Sequence, residues 1–387
     1  MDFRYSDEDE RFREALRTFL EANVPREAPP EDVDAEFDFL RVWQRKMHAA
    51  GWVGVHWPRA YGGRDATAMQ QAIFAEEMAR ARAPQLVNRV GINNVGPTLM
   101  HFGTEEQKRR YLPGILSADE IWCQLYSEPD AGSDLAALRT RAELVGDDYL
   151  VSGQKVWTSY AQHARWAILL ARTDPRAAKH RGISYLIVDM KAPGIEVRPL
   201  RQLTGAVEFN EVFLDGVRVP RENLIGRENE GWQVSQVTLA HERGTNFAIK
   251  EQVLARIHVD ALADRLRTYG RARDARLRQR LAQLFIETEI MRFMNLAMLS
   301  KLERGETPGA ETSIVKTFWA DLTQSIGRAG MEVLGPYSTL MRGSPRAVES
   351  GRFQQQMLFS LSATIAGGTS EINRNIIAQR LLALPRS

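Results

Sequence analysis

The spacing of apolar residues changes its period twice along this chain, and this change limits the folds that the chain can adopt. Ser6 and Asp9 form a capping-box pattern ahead of apolar residues at helical spacing, which predicts a helix beginning near residue 7. Two further helices are predicted near 35–50 and 69–82. Short β-rich runs, separated by Gly, Pro and Asp turns, follow at 149–156, 166–172, 183–189, 195–199 and 207–219. Such runs are typical of a small antiparallel barrel or sandwich.

Helical spacing returns near Gly231 and continues to the end of the sequence. Long helices are predicted at about 232–264, 274–304, 310–334 and 354–382, and the short connections between them favour an antiparallel bundle. A chain of 387 residues is also longer than one ordinary hydrophobic core supports. The pattern therefore predicts a multidomain α+β protein, ordered as helices, strands and a helical bundle.

Composition and charge exclude several classes of protein. Charged residues make up 26% and apolar residues 44% of the chain, and the net charge is +2. No stretch reaches the roughly 20 apolar residues of a membrane span, and the acidic start MDFRYSDEDERFREAL does not resemble a signal peptide. We therefore expect a cytoplasmic protein without membrane or nucleic-acid partners. Cys123 is the single cysteine and is predicted to be a small buried residue, and no Cys/His spacing predicts a metal site.

One local charge run departs from this balance. Seven arginines lie between Asp264 and Arg280, against two aspartates. Such a run is typical of a solvated helix face and loop. The alternative is an anion site for the phosphates of a cofactor or thioester, including one bound to a neighbouring subunit.

Three segments combine small and hydroxyl residues in patterns that suit a bound cofactor. A turn at 129–134 follows a predicted strand that ends at Ser127, and its backbone N–H groups and hydroxyls suit a flat ring or a phosphate. Trp157 and Ser159 are placed on one strand face, where a large ring could pack on the indole. Two glycines at 367–368 lead into a helix whose N-terminus favours an anion. Each segment also has an ordinary interpretation, as a turn, a core tryptophan or a helix cap.

The order and spacing of six short segments resemble the acyl-CoA dehydrogenase family over nearly the whole chain. They are HFGTEEQ at 101–107, SEPDAGSD at 127–134, WTS at 157–159, FNEVFLDGVRVP at 209–220, GW at 231–232 and GGTSE at 367–371. The resemblance implies an α-helical N-terminal domain at 1–120, a central β-barrel at 121–228 and a C-terminal four-helix bundle at 229–387, with FAD between barrel and bundle.

The resemblance also implies which residues hold FAD. Gln124, Tyr126 and Ser127 are expected to border the pyrimidine edge of the flavin, Trp157 to pack on the isoalloxazine, and Ser159 to bond near N5. The remaining positions are expected along the phosphates and ribose: Gly132 and Ser133, which also lie where CoA phosphates pass, and Thr369 and Glu371.

The catalytic base departs from the commonest family arrangement. Most members carry a glutamate immediately before the Gly-Thr of the last segment, but this chain has Gly367 there. A minority branch carries the base on the first bundle helix, immediately before an arginine, and this position is Glu242, followed by Arg243. The resemblance therefore implies Glu242 as the base, with Arg243 as a neighbouring substrate-site residue. His241 is the competing acid/base candidate.

The implied reaction is α,β-dehydrogenation of an acyl-CoA thioester to the trans-2-enoyl-CoA. Glu242 would take the α-proton, the backbone N–H of Gly367 would bond the thioester oxygen, and the β-hydrogen would leave as hydride to flavin N5. Electron-transfer flavoprotein is the expected acceptor. The rivals are an acyl-CoA oxidase on the same fold and a non-catalytic or nucleic-acid-binding relative.

Two altered segments concern assembly. Where many members carry Arg-x-x-Phe-Gly and Gly-Gly-x-Gly-Tyr elements that reach FAD on an adjacent subunit, this chain has RTYGR at 267–271 and LGPY at 334–337. Together with Glu242, these changes resemble dehydrogenases of sterol-degrading bacteria that form α₂β₂ tetramers. We therefore expect a homo- or hetero-oligomer, with a sterol or other polycyclic acyl-CoA among the candidate substrates.

Overall fold

The computed structural model describes residues 5–30, 32–242, 245–306 and 308–385, and the side chains of residues 240–242, 245 and 246 lie outside that description. The chain divides into two compact units. The helical unit comprises residues 1–24, 67–83 and 243–387, and the sheet unit comprises residues 25–66 and 84–242.

Capping residues determine where helices of the first third begin. Ser6 caps the first helix and exchanges hydrogen bonds with Asp9, as the capping-box pattern predicts. Thr104 and Gln107 make the same exchange, and the Gln107 amide also donates to the carbonyl of Leu224 at 3.0 Å. The helices are α1 Asp7–Asn23, α2 Val33–Ala49, α3 Ala68–Arg80, α4 Gly96–Phe102 and α5 Glu105–Ser117, with a π-helical turn at Gly91–Val95.

The strands of the middle third form one mixed sheet. They are β1 Trp122–Leu125, β2 Arg141–Val145, β3 Asp148–Ser159, β4 Trp166–Arg172, β5 Ile183–Asp189, β6 Ile195–Leu200 and β7 Phe209–Pro220. Their order is β1-β4-β2-β3-β7-β6, and β5 pairs with β4. The wholly antiparallel arrangement expected from the sequence is wrong at β4, which pairs parallel with both β1 and β2. The chain passes through the β2–β3 hairpin before β4 returns between these two strands.

The C-terminal third is helical, as predicted, but its last predicted helix is broken. The helices are α6 Gly231–Glu242, α7 Thr245–Thr268, α8 Ala275–Glu303, α9 Glu311–Leu334, α10 Arg352–Ser360 and α11 Ser370–Ile376. The continuous helix predicted at 354–382 is wrong because Gly367 and Gly368 adopt φ values of +65° and +94°. This left-handed backbone cannot continue a right-handed helix. Of these helices, α6 belongs to the sheet unit.

Each unit has its own apolar core. In the sheet unit, Val151, Leu169 and Val212 are fully buried around Cys123. Burial raises the pKa of the Cys123 thiol, so this residue is the small buried cysteine that the sequence predicts. In the helical unit, Leu262 packs in the corresponding core with residues of α8 and α9.

A buried ion pair joins the end of β1 to β3. Lys155 is fully buried, and its ammonium uses three donors: to the Glu128 carboxylate at 2.9 Å and to the carbonyls of Tyr126 and Leu170 at 3.0 and 2.8 Å. The Glu128 carboxylate also accepts two backbone N–H groups from residues 139–140, at 2.6 and 2.8 Å. This satisfied network ties the chain after β1 to the sheet.

Burial and attraction oppose each other in this pair. Desolvation lowers the pKa of Lys155 to about 8, against the attraction of Glu128. Desolvation would raise the pKa of Glu128, but the Lys155 charge and the backbone donors outweigh it and hold that pKa below its ordinary value. The pair is therefore ionised at neutral pH, and its hydrogen bonds are charge-assisted.

Removal of one partner should be more damaging than removal of both. Lys155→Met should lower the free energy of unfolding by about 3–5 kcal/mol, because it leaves the Glu128 charge buried without its partner. Glu128→Gln/Lys155→Met should recover much of this loss. Urea unfolding followed by tryptophan fluorescence measures both variants. A single variant as stable as the double variant would contradict electrostatic coupling of the two groups.

Candidate functional site

The turn after β1 offers an open backbone surface. β1 ends at Leu125, before the predicted end at Ser127. Glu128 and Ala131 exchange two backbone hydrogen bonds of 3.1 Å, which close the turn beside the buried ion pair. Gly132 and Ser133 are exposed, and a Cβ added at Gly132 would meet nothing within 4 Å. A ligand could therefore approach this backbone closely.

The three predicted flavin-edge residues of this segment differ in accessibility. Gln124 is half-buried on β1, and its side-chain oxygen accepts a hydrogen bond from Asn94 at 2.9 Å. The Tyr126 side chain is buried, and its hydroxyl donates to Tyr185 at 2.8 Å, so this phenol is directed into the sheet unit. Ser127 is half-buried, and its hydroxyl makes no hydrogen bond to the described residues. Ser127 is thus the side chain of this group that is available to a ligand.

Trp157 lies on a bulge in β3. The register between β3 and β7 shifts between Lys155 and Thr158, and Trp157 has a φ of +60°. Its indole is 61% exposed, whereas Thr158 is fully buried and Ser159 is half-buried. The core-tryptophan interpretation is therefore wrong. A large apolar ring held in solvent by an unusual backbone conformation is a surface that a flat ligand could cover.

The glycine loop before α11 belongs to the helical unit. Thr369 caps α11 and accepts from the N–H of Ile372 at 3.2 Å, and Glu371 is exposed. A Cβ added at Gly367 would meet only the Lys316 side chain, at 3.7 Å, but the positive φ there would strain any other residue. Glycine adopts this left-handed backbone conformation readily, and the space beside Gly367 leaves its backbone accessible to a ligand.

Two buried polar atoms beside this loop are unsatisfied among the described residues. They are the Ser370 hydroxyl and the Asn373 side-chain oxygen. The Asn373 amide nitrogen meanwhile donates to the carbonyls of Gly368 and Thr369 at 2.9 and 3.0 Å. A buried polar atom without a partner is costly, and the loop thus has unused capacity for hydrogen bonds to a ligand.

The predicted base lies at the edge of the description. Glu242 is the last residue of α6 before the undescribed positions 243–244, and its side chain lies outside the described residues, as does that of His241. Arg243 lies wholly outside them. The backbone of α6 is described as far as position 242, and this helix belongs to the sheet unit.

Sequence reasoning missed the polar residues that pack around α6. Asn94 and Thr98 lie on the first-third helices, Tyr185 lies on β5, and Thr238 lies on α6; all four are buried. They are dispersed over 145 positions between Asn94 and Thr238, without a shared motif. Only their spatial arrangement connects them with Gln124.

The arginine run is largely engaged within the helical unit. Arg271 donates to the carbonyls of Glu332 and Val333, at 2.7 and 3.0 Å, at the C-terminus of α9. Arg265 pairs with Glu349. These contacts favour a structural role for the two arginines over an open anion site.

No helix in the described part of the chain combines the length and apolarity that a bilayer crossing requires. Over the same residues, the structure contains no group of three His, Cys, Asp or Glu side chains able to hold a metal ion.

Comparisons with known proteins agree with this architecture. Models of the acyl-CoA dehydrogenase N-terminal, middle and C-terminal domains match residues 6–119, 123–217 and 229–382. Acyl-CoA dehydrogenase IpdE1 of Mycobacterium tuberculosis is 40% identical over 97% of this chain and 98% of its own length.

Two solved structures are similar over the full length of both chains. The Tcur3481–Tcur3483 steroid ACAD has a TM-score of 0.87 at 33% identity, and the ChsE4–ChsE5 complex from Mycobacterium tuberculosis has a TM-score of 0.85 at 34% identity; each match covers 100% of both chains. The fold is therefore a helical N-terminal domain, a middle β half-barrel and a C-terminal helical domain. The resemblance drawn from the six segments is confirmed: this chain is an enzyme of the acyl-CoA dehydrogenase family.

Proposed function

We propose that this chain oxidises a bulky acyl-CoA thioester to its trans-2-enoyl-CoA with FAD as cofactor and Glu242 as the base. Acyl-CoA dehydrogenases use FAD. The observation that carries the cofactor proposal is the Trp157 indole, which is 61% exposed on a bulge of β3. Stacking on a flat ring system would bury this apolar surface.

Each unit, taken by itself, offers residues that suit such a group. In the sheet unit, hydrogen bonds to its polar atoms would come from the open backbone at Gly132, from Ser133 and from the Ser127 hydroxyl. Ser159 would bond to it near Trp157. Gln124 and the backbone of Tyr126 would border its edge. In the helical unit, Thr369 and Glu371 would hold its distal part, beside the unsatisfied Ser370 and Asn373 atoms. When bound, FAD supplies the acceptor for the hydride that leaves the β-carbon.

The protein supplies a base and a donor to the thioester. The Glu242 carboxylate would take the α-hydrogen as a proton, and the β-hydrogen would leave as a hydride, which carries two electrons. The thioester thereby loses two protons and two electrons in total and gains the α,β double bond. The Gly367 N–H would donate to the thioester oxygen, where negative charge develops. A side chain is not needed for that role, which is consistent with glycine at 367. Arg243 would lie next to the base in the substrate site.

Removal of the base should slow flavin reduction without preventing FAD binding. Glu242→Gln should bind FAD but reduce it about 10²–10⁴ times more slowly than wild type in anaerobic stopped-flow experiments, because a positioned base contributes a factor of that size. The matched variant His241→Gln should retain most of the rate. Wild-type flavin reduction by Glu242→Gln would overturn the assignment of the base, and a purified chain without a flavin spectrum under any condition would overturn the cofactor.

The proposed substrate class is a steroidal or other polycyclic acyl-CoA. One of the similar solved structures is a steroid acyl-CoA dehydrogenase, similar over the full length of this chain. Electron-transfer flavoprotein is the proposed acceptor.

A panel of thioesters distinguishes substrate classes. Steroidal acyl-CoAs should bleach the flavin faster than straight-chain acyl-CoAs of any length. A site that fits a polycyclic acyl group would bind the transition state of that substrate more tightly, and this difference in binding sets the ratio of kcat/KM values. Faster bleaching by a straight-chain thioester would contradict the substrate class alone. Rapid hydrogen peroxide formation during turnover would instead identify an oxidase.

The active assembly is proposed to contain a second family member. The ChsE4–ChsE5 structure is a complex of two named proteins. In this chain, α8 exposes an apolar stripe at positions spaced by three or four residues: Ala282, Ile286, Ile290, Phe293 and Ala297. Ile286 and Phe293 are 51% and 59% exposed, and a helical stripe of this kind suits burial against another subunit. Since Arg271 is engaged at α9, a partner is the better source of the missing contacts to FAD.

Flavin content should depend on the partner. The chain expressed alone should contain less than one FAD per subunit, and co-expression with a second family member should raise that content and the assembly mass. Ile286→Glu/Phe293→Glu should prevent both changes, because it places charge on the apolar stripe. Arg278→Ala/Arg292→Ala, which changes the net charge equally on another part of α8, should not. Full FAD occupancy in an isolated homotetramer would contradict this proposal.

A further inference from the structure

A line of hydroxyl groups crosses the interior of the sheet unit. The Tyr126 hydroxyl donates to Tyr185 at 2.8 Å, Tyr185 contacts Thr238 at 3.1 Å, and Thr238 contacts Thr98 at 2.8 Å. Thr98 donates to the backbone carbonyl of Asn94 at 2.7 Å. The line therefore connects β1, β5, α6 and α4 and ends at the π-helical turn.

The Thr238 hydroxyl has three hydrogen-bonding neighbours. It contacts Tyr185 on β5 and Thr98 on α4, and it donates to the carbonyl of Val234 one turn earlier at 3.2 Å. Either threonine can be the donor in the Thr98–Thr238 contact, since each also has a backbone carbonyl as an acceptor. Neighbouring hydrogen bonds in such a chain strengthen one another.

The line closes into a ring through β1. The side-chain amide of Asn94 donates to the Gln124 oxygen at 2.9 Å, and Gln124 lies two positions before Tyr126 on the same segment. Gln124 and Tyr126, where the ring passes through the segment of β1, are both residues expected to border the flavin. We call the set Gln124, Asn94, Thr98, Thr238, Tyr185 and Tyr126 the polar ring.

The start of α6 is fixed by a second contact. A Cβ at Gly231 would lie 2.5–2.8 Å from backbone atoms of Ser184 and Tyr185, so only glycine allows the helix to approach β5 this closely. The hydroxyl of Ser184 also accepts from the N–H of Asn229 at 2.8 Å. Gly231 and Thr238 are both buried and seven positions apart, so they lie on one face of α6. Position 242 follows on the same face, one turn after Thr238.

Burying the hydroxyl groups of the polar ring costs desolvation free energy that burying apolar side chains would not. Thr98, Thr238 and Tyr185 are fully buried, and buried hydroxyls compensate for lost hydration only while every bond is made. An apolar side chain could pack there in several rotations and heights of the helix. Directed hydrogen bonds from Thr238 to Tyr185 on β5 and to Thr98 on α4 restrict α6 to one rotation and height.

We propose that Thr238 is a positioning residue for the dehydrogenation: its hydroxyl fixes the rotation and height of α6 against α4 and β5, and thereby sets where Glu242 meets the α-proton. The proposal rests on the proposed function. A displacement of about 1 Å at a reacting group costs on the order of 100-fold in rate. Glu242 lies one turn after Thr238 on α6, so a rotation or shift of the helix at Thr238 displaces the proposed base with it.

Thr238→Val removes the hydroxyl and preserves the shape of the side chain. Hydrogen exchange of the α6 peptide, which needs no cofactor, should accelerate about tenfold or more, while exchange in α8 and α9 stays at the wild-type level. Anaerobic flavin reduction should slow roughly 10- to 100-fold at saturating thioester, with KM changed less than kcat. Thr238→Ser, which restores the hydroxyl, should return both readouts to near wild type.

Thr288→Val is the matched control. Thr288 is also fully buried on a long helix, and its hydroxyl bonds only the carbonyl one turn earlier among the described residues, at 2.7 Å. It should leave α6 exchange and the flavin rate unchanged. If Thr238→Val exchanges α6 at the wild-type rate, or if Thr238→Ser is as slow as Thr238→Val, the proposal is wrong.

Failure of the proposed function has a different signature. A wild-type protein that no acyl-CoA reduces, or a Glu242→Gln variant at the wild-type rate, would overturn the chemistry. The exchange of α6 in Thr238→Val would still decide whether the polar ring fixes the helix.

Discussion

The three N–H groups of the buried Lys155 ammonium hold the turn after β1 against the sheet. They join the Glu128 carboxylate, a carbonyl beside β1 and a carbonyl of β4, so one side chain connects the turn after β1 with two strands. Lys155 lies two residues before Trp157, and Glu128 lies one residue after Ser127. The two proposed flavin contacts are thus positioned by the same buried ion pair. Removal of either charge would leave the other unpaired in a medium of low polarity.

The polar ring performs the corresponding task for α6, with neutral groups in place of charges. This difference has a physical reason. An ion pair tolerates some variation in angle, because its main attraction depends on distance. A chain of hydroxyls has one proton per link and loses a bond when any link rotates. Charge therefore suits a turn that must stay attached, and hydroxyls suit a helix whose rotation matters.

The sequence predicts the order of elements well because that order depends on local periodicity. β4 and β5 have the bounds that their β-rich runs predict, and the Ser6–Asp9 capping box forms. The parallel pairing of β1 with β4 was not predictable from local patterns, since it depends on which strands meet after the β2–β3 hairpin. Helical spacing on either side of Gly367 and Gly368 predicts a continuous helix, whereas the positive φ values of these two glycines break it.

Residues in recognisable motifs could be predicted from the sequence, whereas residues that only tertiary packing brings together could not. Motif resemblance identified the family and pointed to the exposed Trp157, but a strand model could not foresee the bulge that exposes the indole. The polar ring has no sequence signature at all. Its members come from β1, the π-helical turn, α4, β5 and α6, and only tertiary packing brings their hydroxyls within hydrogen-bonding distance. Polar residues at such spacings are indistinguishable from surface residues until the fold is known.

Under the proposed mechanism, glycine at 367 leaves the base to be supplied by another element. With φ at +65°, a residue other than glycine at 367 would pay roughly 1–2 kcal/mol of backbone strain, so this loop is better suited to present an N–H than a carboxylate. The proposed base, Glu242, supplies the carboxylate from α6. The polar ring contacts α6 at Thr238, one turn before Glu242. A fixed point at that distance restrains the helix that carries the base without occupying the space of the substrate.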